Sequence, residues 1–384
     1  MKDVATYDYI IAGTGCAGLS LALQLKNSSL NFTKVLLIDK DLKNKNDRTW
    51  CFWTKEKTNW FDEIIFRKWN SFNFKSPSFE KVIDISPYQY CMIKGIDFYN
   101  YCISELQKDN RFEFVTGEIK SISTESNVGI LKTEKQIYSS PYIFNSAIRS
   151  QKVKPNHINY VQHFKGWVIT TPEEKFDVDC PTFMDFRVEQ YNDCRFVYVI
   201  PFSKNSALVE YTGFSQHSLS PEKYDNELIA YLKNELNINY YKIEESEYGE
   251  IPMAESEFVN PFGNCVINIG TAGGFSKPST GYTFYFIQKN TKDIVAQLQK
   301  GKKITSSSPR ELRFYSYDKV FLEVMNSKKI ASADVFTQLF KNNSIETLLA
   351  FLNEESNYFE DLVIMNSVPK QHFIPAFFKK NMGF

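Results

Sequence analysis

A strand, turn, helix and strand pattern from Asp8 to Asp39 constrains the fold of this chain more than any other feature of the sequence. Between its two apolar runs, the glycines Gly13, Gly15 and Gly18 have the spacing G-x-G-x-x-G. Gly13 permits a tight turn, Gly15 lets the backbone approach a pyrophosphate, and Gly18 lets the helix pack closely on the sheet. Amide groups at the helix N-terminus bind phosphates, and a carboxylate at the position of Asp39 holds a ribose hydroxyl. The pattern predicts a dinucleotide-binding βαβ unit.

The dinucleotide is expected to be FAD. A lone G-x-G-x-x-G motif also occurs in glycine-rich turns that bind nothing, but here the flanking strands, the helix and the terminal acid are all present. The motif begins almost at the start of the chain, as it does in two-dinucleotide-binding flavoproteins. We therefore predict an α/β fold with a Rossmann-like FAD-binding domain.

The cofactor domain is predicted to be discontinuous. From 153 to 255 the pattern changes to long strands joined by short turns, which predicts an antiparallel-sheet substrate domain. A later strand leads into the glycine-rich segment Thr271–Gly281 and a helix, which is a second turn of the cofactor-contacting type. The FAD-binding domain then comprises 1–152 and 256–300, and a helical C-terminal region comprises 301–384. Four glycines of the second turn are predicted to contact the cofactor: Gly270, Gly273, Gly274 and Gly281.

The balance of charges gives no support for binding to nucleic acid, and the aromatic content leaves open a pocket for an apolar or cationic ligand. The 45 Lys and Arg residues balance the 45 Asp and Glu residues, so no net positive charge favours nucleic acid. Aromatic residues make up 16% of the chain, and they either fill an ordinary core or line a pocket for a long apolar or cationic ligand. Arg48 precedes the aromatic segment Thr49–Trp53 and is predicted to contact cofactor phosphate or flavin. The alternative for this segment is a packed hydrophobic anchor.

Cysteine and histidine positions indicate a reducing compartment and no metal site. The seven cysteines contain no C-x-x-C pair, and the four histidines are isolated. The first strand follows Met1 so closely that we expect no signal peptide, and no apolar run approaches the ~18 residues of a membrane-spanning helix. We therefore expect a protein that is cytosolic or attached to a membrane surface from the cytosolic side.

Two apolar patches near the C-terminus are candidates for such an attachment. One is Ile345–Leu352, and the other is Phe373–Phe378, next to Lys379 and Lys380. Apolar side chains beside lysines are typical of an interfacial contact with anionic lipid. A helical cap on the substrate domain is the alternative interpretation.

Several segments, taken in order over most of residues 7–290, resemble the lycopene cyclases of the bacterial and plant flavoprotein type. Besides the N-terminal glycine motif they are Arg48–Trp50, Phe183–Arg187, Tyr198–Ser203, Ala207–Thr212, Gly249–Met253, Gly270–Gly274 and Thr280–Tyr282. The resemblance implies closure of the end groups of lycopene to β rings, giving β-carotene through γ-carotene. It also implies FAD that works in its reduced form, NAD(P)H as the reductant, and a peripheral enzyme that takes a long apolar substrate from the bilayer.

Ring closure needs an acid that stays protonated near neutral pH, and Glu210 is the first candidate. Leu208, Glu210 and Thr212 share one strand face, and burial of a carboxyl group in an apolar cavity raises its pKa. The alternative is a strand glutamate exposed to solvent. Asp185 is the second candidate, as an assisting acid or a stabiliser of the carbocation. Its alternative is a salt bridge with Arg187, which shares its strand face.

Other functions on the same fold stay open at this point. A flavin monooxygenase or a prenyl-chain reductase would consume NAD(P)H in proportion to product, whereas a cyclase would not. A non-catalytic carotenoid-binding flavoprotein would leave Glu210 and the second glycine turn unexplained. Thr271 and Asn145 stand where many flavin hydroxylases have aspartate, and this disfavours a hydroxylase.

Overall fold

A computed structural model describes residues 4–56, 60–148, 158–254, 260–304 and 311–382 of the 384 residues. The domain boundaries predicted after 152 and after 255 lie outside these described residues. In chain order the strands are β1 (Val4–Thr6), β2 (Tyr9–Ala12), β3 (Val35–Asp39), β4 (Thr49–Thr54), β5 (Arg67–Trp69), β6 (Ser71–Ser76), β7 (Phe79–Asp84), β8 (Gln89–Lys94), β9 (Phe112–Thr116), β10 (Ile119–Glu125), β11 (Val128–Thr133), β12 (Ile137–Ser140), β13 (Tyr142–Asn145), β14 (Asn159–Thr170), β15 (Thr182–Asp185), β16 (Cys194–Ser203), β17 (Ser206–Ser215), β18 (Lys242–Ala254) and β19 (Val266–Asn268). The helices are α1 (Cys16–Lys26), α2 (Gly95–Gln107), α3 (Pro221–Asn234), α4 (Phe284–Gln299), α5 (Leu312–Ser327), α6 (Ser332–Asn342), α7 (Ile345–Leu352), α8 (Tyr358–Ser367) and α9 (Lys370–Met382).

A five-stranded parallel sheet in the order β19-β13-β2-β3-β9 forms the centre of the cofactor domain. Its four strands other than the edge strand β9 are almost continuously buried, because α1 and its neighbours α2 and α4 cover one face and a four-stranded sheet, β1-β12-β11-β10, covers the other. The chain returns to this sheet at β19 after the substrate domain. The predicted βαβ unit and the late return of the chain are therefore both present.

The substrate domain is a seven-stranded sheet in the order β18-β14-β17-β16-β15-β6-β7. Its pairs are antiparallel except for β15 with β6. Side chains of α3, among them Tyr224, Leu228 and Tyr231, cover one face of this sheet. The other face packs against α6 and α7 and contributes to the cavity described below.

β6 and β7 correct the predicted domain division, because they come from the stretch 1–152 that was assigned entirely to the cofactor domain. Phe72 and Phe74 of β6 are fully buried. Phe72 stacks on Phe183 with ring centroids 4.6 Å apart, and Phe74 stacks on Phe340 at 4.2 Å. These aromatic contacts extend the apolar face of the substrate sheet, and they explain why the two strands join it.

The C-terminal helices pack over the substrate sheet. The membrane contact predicted for Ile345–Leu352 is wrong, because Leu348 and Leu349 are at most 1% exposed and belong to the core; this segment is a helical cap. Apart from Leu312 at the start of α5, the large apolar side chains that are exposed in the described part of this region lie on α8 and α9, at Tyr358, Phe359, Leu362, Val363, Met365, Ile374, Phe377, Phe378 and Met382. Among the described residues, no helix is both long enough and apolar enough to cross a membrane.

Candidate active site

The glycine motif before α1 has the geometry that a dinucleotide requires. Gly13 has φ +102°, and a Cβ on Gly18 would lie 1.9 Å from the Gly13 carbonyl oxygen, so both positions favour glycine. A Cβ on Gly15 would meet nothing within 4 Å, because this backbone faces an open cavity. Asp39 accepts a hydrogen bond of 2.7 Å from the Thr14 amide, which fixes the turn beside its carboxylate. A phosphate can therefore approach the backbone at Gly15.

The second glycine turn follows β19 and lies against the first. Gly270 has φ +61°, and a Cβ there would lie 2.7 Å from the Cβ of Ala17 in α1. Gly281 has φ +72°, and a Cβ there would lie 1.6 Å from Oε1 of Gln162. This Oε1 atom is buried and has no hydrogen-bond partner within the described part of the chain. Close packing and backbone conformation thus require glycine at both positions.

The two turns open into one cavity of about 560 Å³. Most of the predicted site residues line it, namely Gly13, Gly15, Asp39, Arg48, Gly270, Gly281 and Glu210. Gly273 and Gly274, which are both described, do not line it, contrary to the prediction; they form the turn after β19, with Gly274 at φ 78°. The open backbone at Gly15, the carboxylate of Asp39 and the unpaired Gln162 Oε1 together fit FAD, because they offer phosphate, ribose and polar contacts.

Aromatic side chains line much of the cavity wall: Trp50, Trp53, Tyr90, Phe164, Phe183, Tyr198 and Tyr282. Trp53 meets Tyr282 edge to face with ring centroids 4.9 Å apart, and it meets Phe183 at 6.0 Å. Such walls exclude water and present ring faces that attract a cation. The high aromatic content therefore serves this pocket as well as the core.

Glu210 on β17 meets a second acid, Glu247 of β18, across the central strand β14. Both acids pair in register with Gly166, and a Cβ there would lie 3.3 Å from the Glu210 Cβ and 3.2 Å from the Glu247 Cγ. The two carboxyl groups hydrogen-bond to each other. The Thr212 hydroxyl donates to Glu210 at 3.0 Å, and the Thr49 hydroxyl donates to Glu247 at 3.0 Å. Glu210 lines the cavity, whereas Glu247 is only 8% exposed.

The environment of the pair favours a proton on Glu210. Burial raises the pKa of Glu210 well above its ordinary value, and the charge of Glu247 and the hydrogen bond to it raise this pKa further. Burial also raises the pKa of Glu247, but hydrogen bonds with Glu210 and Thr49 and the charge of Arg48 act in the opposite direction. Two adjacent carboxylates do not both ionise readily, which favours one proton on the pair, and Glu210 is the member that can present this proton to the cavity.

Arg48 lies in the cavity wall near the two acids. Its guanidinium donates to the carbonyl oxygens of Asp47 and Tyr248, the latter at 3.1 Å. Its positive charge acts to lower the pKa of both Glu210 and Glu247. The structure thus gives Arg48 an electrostatic effect on the acids, and its contact with the cofactor stays a prediction.

Asp185, the second predicted acid, lies outside the cavity. Its fully buried carboxylate accepts hydrogen bonds from Arg187 at 2.7 Å and from the Tyr231 hydroxyl of α3 at 2.8 Å. The salt bridge considered as the alternative is therefore present. Because the side chain faces α3 and not the cavity, the expected assistance to Glu210 does not fit, and we assign Asp185 a structural role.

Two residues of the site, Glu247 and Gly166, are not predicted from the sequence. Glu247 lies among Glu244, Glu245 and Glu250, so composition does not distinguish it from acids that face solvent. Gly166 offers a usable signal, because a glycine inside a long strand indicates a close approach of neighbouring groups. The pairing of β14 with both β17 and β18 is needed to show which groups approach.

Fold and cavity together define the class of FAD-binding flavoproteins. A flavoprotein/dehydrogenase from Cytophaga hutchinsonii has a similar structure, with a TM-score of 0.67, 13% identity, and coverage of 98% of this chain and 99% of that chain. The halogenase PltM in complex with FAD is also similar, with a TM-score of 0.59, 13% identity, and coverage of 94% and 85%. At such identities the similarity shows the fold alone, and it confirms the predicted fold class.

Within this class, the chain belongs to the lycopene cyclase protein family, whose model matches residues 8–376. The lycopene beta-cyclase of Pantoea ananas is 23% identical over 287 residues, which cover 72% of this chain and 71% of that protein. The chloroplastic lycopene beta cyclase of Arabidopsis thaliana is 26% identical over 301 residues, which cover 72% of this chain and 56% of that protein. The chain thus matches little more than half of the plant relative. The family resemblance is confirmed, and the family match includes most of the C-terminal helices.

Proposed function

We propose that this protein is an FAD-dependent lycopene β-cyclase, which converts lycopene to β-carotene through γ-carotene. One observation carries the proposal: Glu210, a carboxyl group whose pKa is raised by burial, faces an aromatic-walled cavity that is continuous with two dinucleotide-type glycine turns. The substrate class comes from the family and from the names of the relatives.

The proposed reaction is a redox-neutral isomerisation. Glu210 transfers its proton to the terminal double bond of an end group, and the neighbouring double bond attacks the resulting tertiary cation. A new carbon–carbon bond closes the ring, and a ring proton then leaves to a carboxylate base. One proton enters and one leaves, so no electrons are consumed. The aromatic walls stabilise the cation and keep water from trapping it.

FAD is the proposed cofactor, and NAD(P)H is its proposed reductant. Gly13, Gly15, Asp39, Gly270 and Gly281 would hold FAD, because they line the cavity at its two glycine turns. When bound in its reduced form, with NAD(P)H as the reductant, the flavin supplies negative charge that stabilises a nearby carbocation.

The proposed location is the cytoplasmic face of a membrane, which the enzyme contacts from one side to reach its apolar substrate. The exposed apolar side chains of α8 and α9, with Phe359 at 76% and Leu362 at 56% exposure, support this. Lys379 and Lys380 both form ion pairs with Glu323, so apolar contact is expected to contribute more than attraction to anionic lipid.

Expression in cells that accumulate lycopene tests the proposal. Pigment analysis should show one-ring and two-ring carotenoids, and NAD(P)H consumption by the purified enzyme should stay far below product formation. Unchanged lycopene would contradict the proposal. Consumption of NAD(P)H in proportion to product would instead indicate a monooxygenase or a prenyl-chain reductase.

A further inference from the structure

The contact between Glu210 and Glu247 depends on three adjacent strands. β17 and β18 flank β14, and both acids are in register with the same residue, Gly166. Any side chain there would occupy the space between the two acids, given the 3.3 Å and 3.2 Å approaches of its hypothetical Cβ. The fold therefore brings two carboxyl groups together in its interior, although their residues are distant in sequence.

The surroundings of the pair contain little charge to compensate a second anion. Among the described residues, the titratable and charged groups with the largest effects on the two acids are Asp47, Arg48, Cys51 and Tyr198, while Lys40 and Lys43 line the same cavity. Of the four groups with the largest effects only Arg48 is a cation, and its guanidinium also donates to two backbone carbonyl oxygens. One cation balances one carboxylate, so a second ionised carboxyl would be both buried and unbalanced.

Their positions relative to the cavity give the two acids different roles, because each of them accepts one threonine hydroxyl at 3.0 Å. Glu247 accepts from the Thr49 hydroxyl and lies behind the cavity wall, where an anion is stabilised by that bond and by Arg48. Glu210 lines the cavity and can present its proton to a ligand.

We propose that Glu210 and Glu247 share one proton, and that Glu247 is a positioning residue whose anion keeps this proton on Glu210. The inference rests on the proposed cyclase function for its catalytic consequence. During turnover Glu210 gives the proton to the substrate carbon, and the pair then carries two negative charges opposite one carbocation. When the ring proton returns to the pair, one proton and one negative charge are restored before the second ring closes.

The first test measures the protonation of Glu210 in the absence of substrate turnover. In the flavin-loaded protein, the infrared carbonyl band of the protonated Glu210, identified by its loss in Glu210→Gln, is followed as pH rises. In Glu247→Gln the band should disappear at lower pH by about one unit or more, because the neighbouring anion that holds the proton is gone. Glu244→Gln, a control on an exposed part of the same strand, should titrate like the wild type. An unchanged titration in Glu247→Gln would overturn the proposal.

The second test is the pH dependence of ring formation. The alkaline limb should move to lower pH in Glu247→Gln, with about tenfold less activity on that limb for each pKa unit. Glu247→Asp, which keeps a carboxylate, should largely restore the wild-type profile. A uniform loss of rate at every pH would indicate a merely structural role and would contradict the proposal.

A third variant keeps the proposal testable if Glu247→Gln does not fold. Thr49→Val removes the hydroxyl that stabilises the Glu247 anion, so the pair should lose its shared proton at higher pH in the infrared titration. No shift in this variant would count against the shared proton. If the infrared results hold but lycopene is not cyclised, the proposed function fails and the shared proton stands.

Discussion

Gly15 and Gly18 are three residues apart, yet a side chain at each would have a different effect. A Cβ on Gly15 enters open space in the cavity, whereas a Cβ on Gly18 meets the Gly13 carbonyl oxygen at 1.9 Å. We therefore expect Gly15→Leu to fold but to lose its non-covalent FAD, since the side chain occupies the path of the pyrophosphate. We expect Gly18→Ala to destabilise the apoprotein by about 1–3 kcal/mol. Flavin absorbance and thermal unfolding of the apoproteins separate the two effects. A Gly15→Leu protein that retains full FAD would refute this assignment.

Within a strand, the alternation of side chains correctly predicted which residues share a face of the sheet. It did not predict which other part of the protein packs against that face. Leu208 and Glu210 line the cavity, and the alternate residues Val209 and Tyr211 are buried in the core under α3, as the predicted pattern of β17 requires. The same pattern predicted that Asp185 and Arg187 share a face. It could not show that this face meets α3, because that depends on how the helix packs on the sheet.

His163 on β14 is expected to make the stability of the fold depend on pH. Its buried ring hydrogen-bonds to the Tyr224 hydroxyl of α3 at 2.6 Å and to the Ser215 hydroxyl at 2.9 Å. Burial lowers the pKa of His163 from 6.5 to about 4. The unfolded chain therefore takes up this proton first, and stability should fall as pH falls from 6.5 through 4, by about 3 kcal/mol in total.

Urea unfolding across this pH range checks the prediction. His163→Gln should lose this part of the pH dependence, although it should be less stable at neutral pH because it disturbs buried hydrogen bonds. His217→Gln, at an exposed histidine, should behave like the wild type. An equal pH dependence in His163→Gln and the wild type would contradict the account.

For the molecule as a whole, short sequence patterns predicted the helices, strands and fold class. The assignment of strands to sheets, and the burial of the C-terminal helices, depend on contacts between residues that are distant in sequence. The glycine motif and the apolar strands identified the cofactor domain because their spacing is local. The membership of Phe72 and Phe74 in the substrate sheet depends on partners far away in sequence, Phe183 and Phe340. The burial of Ile345–Leu352 likewise follows from packing that an apolar patch alone does not reveal.

The exposed apolar surface of α8 and α9 predicts membrane attachment. Phe359→Glu combined with Leu362→Glu should reduce sedimentation with anionic lipid vesicles by roughly tenfold or more, because each large apolar side chain contributes about 1.5–3 kcal/mol when fully buried. Tyr240→Glu, at a residue that is 81% exposed just before β18, is the matched control and should bind like the wild type. Higher salt should weaken binding to a smaller extent. A wild-type protein that stays in the supernatant at low salt would contradict the attachment.

Glu210 is proposed to be the acid that starts ring closure, and the Glu210→Gln variant tests this assignment. Ring formation from lycopene in vesicles is measured with the reduced holoenzyme, at equal flavin content, for the wild type, Glu210→Gln and Glu210→Asp. The amide keeps the shape of the side chain but has no acidic proton, so the rate should fall by about 100-fold to 10,000-fold while FAD stays bound. Glu210→Asp should keep a small residual rate. Bicyclic product from Glu210→Gln at a rate near that of the wild type would contradict the claim and assign proton transfer to another group.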